Sequence, residues 1–274
     1  MEYKDFQHIE FEHRDNGILL MTLNRPDKLN ATNKRLHWEL TQVWRVIDED
    51  PKTKVAVVTG KGRAFSAGGD LDFIQARAEA GRADAGGRAR GRNREAMRTF
   101  YGLFLAVREL HCPSIAAIHG AAVGAGLCVA LACDLRVAAR DARLSLNFVR
   151  LGIHPGMGAT WTLPRLVGAA HAADLLLSGR TIDGEEAARM GLVNRCVERD
   201  AVLVEARALA GELAAGAPAA VRGTRAALAR APHVSLEDQL AFEAARQAEC
   251  YESDDLREGL AAARAKRTPV FRGA

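Results

Sequence analysis

The chain has few cysteines, and they show no pattern. There are five in 274 residues, an odd number without regular spacing. That argues against a disulfide framework and for a reducing compartment. No CxxC pair or histidine cluster is present, so nothing suggests a metal centre. No apolar run reaches the length needed to cross a membrane. The segment Met1 to Arg14 mixes polar and charged residues and does not read as a signal peptide. These features together lead us to expect a cytoplasmic protein. An excess of charge is also lacking: 38 basic and 34 acidic residues leave a net charge of +4, too small to imply a nucleic-acid partner. The hydrophobic content of 48% is enough for one large domain with an extension.

The most informative stretch is Ile115 to Asp134, IAAIHGAAVGAGLCVALACD. Ile115–Ile118 reads as a buried strand. In Gly120–Gly126, three glycines and three alanines leave almost no side chain, so a ligand can approach the backbone closely. The apolar run Leu127 to Ala132 then reads as a buried helix. A strand, a small-residue turn and a helix N-terminus aim free N–H groups at negative charge, either a phosphate or an oxyanion formed during a reaction. The same glycines could instead serve only close packing of helix on strand.

A second stretch has the same design. Val55–Gly60 reads as a buried strand, and Phe65-Ser66-Ala67-Gly68-Gly69-Asp70-Leu71 again offers bare amides just past it. Two such loops can face one another at the carboxyl ends of parallel strands and give two N–H donors to one oxygen. A dinucleotide site fails on spacing, because Gly120, Gly124 and Gly126 do not follow G-x-G-x-x-G.

With this pair of loops the chain resembles the crotonase (enoyl-CoA hydratase/isomerase) superfamily, and the resemblance covers nearly its whole length. It runs through Leu23–Ala31, Ala64–Leu71, Ile118–Asp134, Leu151–Thr160, Leu163–Gly168, Ser178–Arg180, Ala187–Asn194, Ser253–Gly259 and Lys266–Phe271. It implies an α/β fold, a crotonase-like spiral of ββα units over residues 1–199 that holds an acyl-CoA site. A C-terminal helical layer over 200–274 would mediate a homotrimer or hexamer. The partner is then an acyl-CoA thioester, with coenzyme A entering as part of the substrate and no permanently bound cofactor.

The resemblance also assigns residues. The amides of Gly69 and Ala125 become the oxyanion donors. Leu29, Ala31, Ala67 and Gly68 line the adenine site, with Arg25 and Lys28 near the phosphates. Asp70 braces the turn into Leu71, and Gly124 and Phe148 complete the substrate site. The three positions where family members carry acid/base carboxylates hold Cys128, Phe148 and Gly156. Syn-addition of water to a double bond needs a group that activates water and another that protonates carbon. Ordinary hydratase chemistry is therefore not expected. Cys128 is a candidate catalytic group or a small buried hydrophobe. His154 is a candidate base or a turn histidine bonded to backbone. His119 should brace its loop, Asn147 and Ser145 could position a water, and the far wall should depend on Phe148, Trp161 and residues 75–98.

Local patterns fill in the rest. Phe6–Phe11 and Gly17–Leu23 read as hairpin strands, Ala142–Phe148 as a later strand, and Thr32 as the cap of a helix over 33–48. Residues 75–98 carry seven arginines and little apolar content, with Gly86–Gly87 interrupting any helix. They read as a solvated surface segment or as a basic lid near the CoA phosphates, with helix resuming near Glu95.

Overall fold

The computed structural model describes residues 1–82 and 88–273. Two strands, β1 (Ile9–Arg14) and β2 (Ile18–Leu23), pair antiparallel. They are joined by a tight turn in which Asn16 and Gly17 take positive φ, 70° and 79°. Asn and Gly tolerate that region best. Helix α1 (Lys34–Asp48) is capped by Asn33, whose side chain accepts from the Leu36 amide at 2.9 Å. Thr32, the expected cap, is instead drawn into a β-bridge with Gly69.

Strand β3 (Val55–Gly60) pairs parallel to β2, and the short β4 (Ala64–Ser66) leaves the main sheet and leads into α2 (Leu71–Arg82). After α3 (Arg88–Phe104) the pattern repeats. Strand β5 (Ser114–Ile118) joins the main sheet, β6 (Ala121–Val123) joins the smaller one, and α4 (Ala125–Ala132) follows. A third turn brings β7 (Leu135–Ala139), β8 (Leu144–Ser145) and α5 (Ala159–Ser178), which breaks at Gly168 (φ 77°, ψ 166°). Then come β9 (Thr181–Ile182), α6 (Gly184–Arg189) and β10 (Arg195–Val197).

The large sheet runs β1-β2-β3-β5-β7-β10 and the small one β4-β6-β8-β9. This is the expected ββα spiral. The central strands β3 and β5 are buried along their whole length, as parallel strands covered on both faces must be.

Helix α7 (Val202–Ala214) closes the core, packing on β2, β3, β5 and β7 through buried Val202, Ala206, Leu209 and Ala210. Helices α8 (Pro218–Arg230), α9 (Leu236–Glu252) and α10 (Asp254–Ala265) stand farther out. Arg225 ties α8 to the core, with Nε 2.9 Å from Asp134 Oδ2 and further bonds to the carbonyls of Leu110 and Val107.

Three sequence expectations change. Ala142–Phe148 is not one strand: only Leu144–Ser145 is extended, and Asn147–Leu151 forms a 3-10 turn ending at Gly152 with φ 71°. The segment 75–98 is helical wherever it is described, in α2 and α3, and helix begins at Arg88 rather than near Glu95. Its polar composition reflects an outer face. Met97, Phe100, Tyr101 and Phe104 recur at helical spacing as the inner stripe of α3. The expected break at Gly86–Gly87 lies outside the described residues. Among the described residues, no helix is long and apolar enough to cross a membrane.

Candidate active site

The loop after β2 is built around Asn30, which is fully buried with φ 56°. Its side-chain oxygen accepts from the Arg25 amide at 2.8 Å, and its nitrogen donates to the carbonyls of Lys61 (2.9 Å) and Ala64 (2.8 Å). Ser66 Oγ donates to the Asn30 carbonyl at 2.8 Å. The Ala67 amide donates to the Leu29 carbonyl at 2.8 Å. These bonds fix the two loops as one unit. Asn30 has no separate sequence signal beyond its place in the motif, yet it organises both.

Thr32 then positions Gly69. The Thr32 amide donates to the Gly68 carbonyl at 2.7 Å, and its carbonyl accepts from the Asp70 amide at 3.1 Å. Both bonds flank Gly69, so its own N–H faces the other way, and no described group accepts it. On the facing loop, the Gly124 amide donates to the Ser145 carbonyl at 2.8 Å. Ala125 is then the first residue of α4, where an N–H has no intrahelical acceptor. Helix α4 lies against β4 so tightly that a Cβ on Gly126 would stand 2.5 Å from Ser66 Cβ.

Both amides line one cleft of about 960 Å³. Of the residues assigned to the oxyanion pair, the CoA site and the acid/base positions, all line it except Leu29 and Cys128. Leu29 contributes through its backbone carbonyl, as above. Cys128 is 2% exposed inside α4, with Sγ 4.0 Å from the Gly156 carbonyl. Burial pushes its thiol up to about 12, so the sulfur stays protonated and behind the wall.

Arg25 is committed within the protein. Its guanidinium donates to the Ala31 carbonyl and lies 3.3 Å from Asp70 Oδ2. Asp70 also accepts from the Asp72 amide at 3.2 Å, so it braces the entry to α2. Lys28 is exposed at the cleft edge and has no acid partner among the described residues.

His154 lines the cleft, with Nδ1 2.7 Å from the Pro155 carbonyl. His119 braces its loop: Nε2 lies 2.9 Å from the Gly62 carbonyl, and burial lowers its pKa and keeps the ring neutral. Asn147 lines the cleft, whereas Ser145 turns away, its hydroxyl bonded to the Gly179 carbonyl at 3.2 Å.

The far wall differs from expectation. Trp161 is not part of it: the guanidiniums of Arg108 (4.6 Å) and Arg165 (3.9 Å) lie over its ring, which also stacks on His233. The wall is made by Phe148, Ile74 and Arg77, with Met97, Phe100 and Tyr101 from α3. Of the arginine-rich segment, Arg77 reaches the cleft, its guanidinium 5.4 Å from the Phe73 ring and 3.7 Å from Met97 Sδ. His37 joins them, stacked on Phe100 at 3.5 Å. Burial, then the charge of Arg77, lowers its pKa to about 4.

A cleft with two unclaimed amides beside an apolar wall can hold a carbonyl oxygen as it gains negative charge. Comparison with known proteins bears on which carbonyl. A family model described as enoyl-CoA hydratase/isomerase matches residues 13–274. A probable enoyl-CoA hydratase of Mycobacterium bovis is 36% identical over 258 residues, covering 94% of this chain and 95% of that protein. The 1,2-epoxyphenylacetyl-CoA isomerase of Escherichia coli is 33% identical over 261 residues, covering 95% and 97%. Among solved structures, the enoyl-CoA hydratase of Bacillus anthracis superposes with a TM-score of 0.87 at 34% identity, covering 98% of this chain and all of that one.

Proposed function

Because the chain belongs to the enoyl-CoA hydratase/isomerase family of acyl-CoA enzymes, we propose that it binds an acyl-CoA thioester with the carbonyl oxygen between the amides of Gly69 and Ala125. A thioester carbonyl becomes an oxyanion when a proton leaves its α-carbon or a nucleophile adds. Each backbone donor aimed at that oxygen is worth on the order of 3 kcal/mol of barrier. The observation that supports this reading is that neither N–H has an acceptor among the described residues and that both residues line one cleft. Backbone donation does not depend on side chain, so Ala125 serves as well as glycine. The adenine end falls to Leu29, Ala31, Ala67 and Gly68, and Lys28 is the cation left for the phosphates. Coenzyme A enters as part of the substrate, with no permanently bound cofactor.

The reaction itself is a thioester-enolate chemistry without the two carboxylates that hydration uses, since Cys128, Phe148 and Gly156 fill the relevant positions. A specific observation favours His154 as base. If Nδ1–H donates to the Pro155 carbonyl, the free lone pair lies on Nε2. A thioester isomerase or hydrolase, or a silent acyl-CoA-binding protein, fits the same cleft. Apolar side chains exposed on α8 to α10, among them Leu228, Leu236, Leu240 and Leu260, support assembly into a trimer or hexamer. A monomer in light scattering at micromolar concentration would refute that assembly.

The test is crotonyl-CoA, with binding by calorimetry and hydration by absorbance. We expect binding with slow hydration or none. Each missing acid or base group costs about 10²–10⁴-fold in rate while the oxyanion donors act independently. Hydration at an ordinary enzyme rate, on the order of 10–10³ per second, would show that the catalytic groups have been misplaced.

A further inference from the structure

The hydroxyl of Tyr101 occupies the space that a side chain at position 156 would need. A Cβ on Gly156 would overlap Tyr101 Oη and stand 2.9 Å from its Cζ. Tyr101 belongs to the inner stripe of α3 and lines the same cleft as Gly69, Ala125 and Phe148. The Gly156 carbonyl lies 4.0 Å from Sγ of Cys128, three residues into α4 from Ala125, so the Tyr101 tip and the start of α4 flank the same short segment. No described group forms a hydrogen bond with Oη, and the atom is not sealed from the cleft that Tyr101 lines, so its proton is free for a bound molecule. Burial raises its pKa, so the phenol keeps its proton at neutral pH. The other polar side chains nearby are less suited to give a proton. Asp70 is engaged by Arg25 and Asp72, an asparagine amide such as Asn147 is not an acid, and Cys128 does not reach the cleft.

We propose that Tyr101 is the proton donor of this cleft, a catalytic residue that protonates the α-carbon of a thioester enolate held on the Gly69 and Ala125 amides. The proposal rests on the acyl-thioester reading above. In the step, the electron pair of the enolate C=C bond forms the new Cα–H bond and the Oη–H bond breaks. The carbonyl re-forms, and the Tyr101 phenolate recovers a proton from water entering the open cleft. Gly156 is the partner of this arrangement, because only a residue without a Cβ lets the phenol reach so far.

The experiment compares the unmodified protein with Tyr101→Phe, using crotonyl-CoA in D₂O. The ring remains, so the fold and the cleft wall are kept, and equal thermal midpoints check this. We expect the rate of 3-hydroxybutyryl-CoA formation to fall about 10²–10⁴-fold with thioester affinity unchanged. Deuterium at Cα should lose its stereospecificity, because water then reaches the enolate from either face. Gly156→Ala, which pushes the hydroxyl aside, should reproduce the loss. The proposal is overturned if Tyr101→Phe stays within about twofold of the unmodified rate with stereospecific labelling. Where the unmodified protein binds crotonyl-CoA without hydrating it, the same comparison reads deuterium exchange at Cα of bound butyryl-CoA in D₂O, and exchange that is absent, or that Tyr101→Phe leaves unchanged, overturns the proposal. If neither protein binds crotonyl-CoA, the acyl-thioester reading itself falls and takes this proposal with it.

Discussion

Gly68 and Val123 bring the two loops of the cleft together: a Cβ on Gly68 would stand 2.5 Å from the Val123 carbonyl oxygen. The backbone of Gly68 is at φ 90°, a conformation that L side chains rarely adopt. Strain and overlap therefore act at one residue. Gly68→Ala should destabilise the protein by about 2–4 kcal/mol. It should also lower thioester turnover in the molecules that still fold, because the loop carrying Gly69 must shift. Urea denaturation and turnover per folded molecule measure the two effects separately, and unchanged values would mean that the contact is soft.

Ala125 allows the oxyanion donor to be removed with little damage. It is the first residue of α4, the position where proline is best tolerated. Ala125→Pro removes the N–H that the proposed function requires and leaves no helix bond broken. The expected result is a thermal midpoint near that of the unmodified protein and a loss of about 10²–10³-fold in thioester turnover. A variant that folds and turns over normally would exclude this amide from the chemistry.

Asn30 should be far less tolerant than its surface-loop sequence suggests. In Asn30→Asp the oxygen facing the Arg25 amide is kept. The nitrogen facing the carbonyls of Lys61 and Ala64 becomes a second oxygen, and three acceptors then crowd one buried site. A destabilisation of about 2–4 kcal/mol is expected, with thioester affinity weakened as the loop over 24–32 loosens. Chemical denaturation and calorimetric titration would show it.

His37 sets a pH dependence of stability. Its ordinary value of 6.5 applies to the unfolded chain, whereas burial, then Arg77, lowers it to about 4 in the fold. Above 6.5 both states are neutral and the stability is fully present. As pH falls from 6.5 to about 4, the unfolded chain takes a proton that the folded protein refuses, so stability is lost across that window. His37→Gln should lose less thermal stability than the unmodified protein over the same interval. Superimposable pH profiles for the two proteins would rule out His37 as the source.

The fold was largely legible because its signals are local. Continuous apolar runs such as Val55–Gly60 and Ile115–Ile118 can be satisfied only as buried parallel strands. The cap of α1 was misplaced by one residue because Thr32 and Asn33 have similar capping chemistry. Only the bridge from Thr32 to Gly69 separates them. The arginine-rich segment misled for a related reason. A helix that is solvated on one side and faces a cleft on the other has a polar composition whether or not its few apolar residues line a site.

By itself the sequence determined the strand–strand–helix rhythm and the two small-residue loops, both of which depend on residue type and spacing along the chain. Only the tertiary structure decided which groups meet in the cleft. Tyr101 and Gly156 are 55 positions apart, and neither belongs to a motif that would announce the other. Trp161 went to a cluster with Arg108, Arg165 and His233, Cys128 behind the wall, and Arg77 and His37 to the apolar wall of the cleft. Spacing along a chain sets local conformation through the backbone. Contact between distant side chains depends on how the elements pack, which no local pattern encodes.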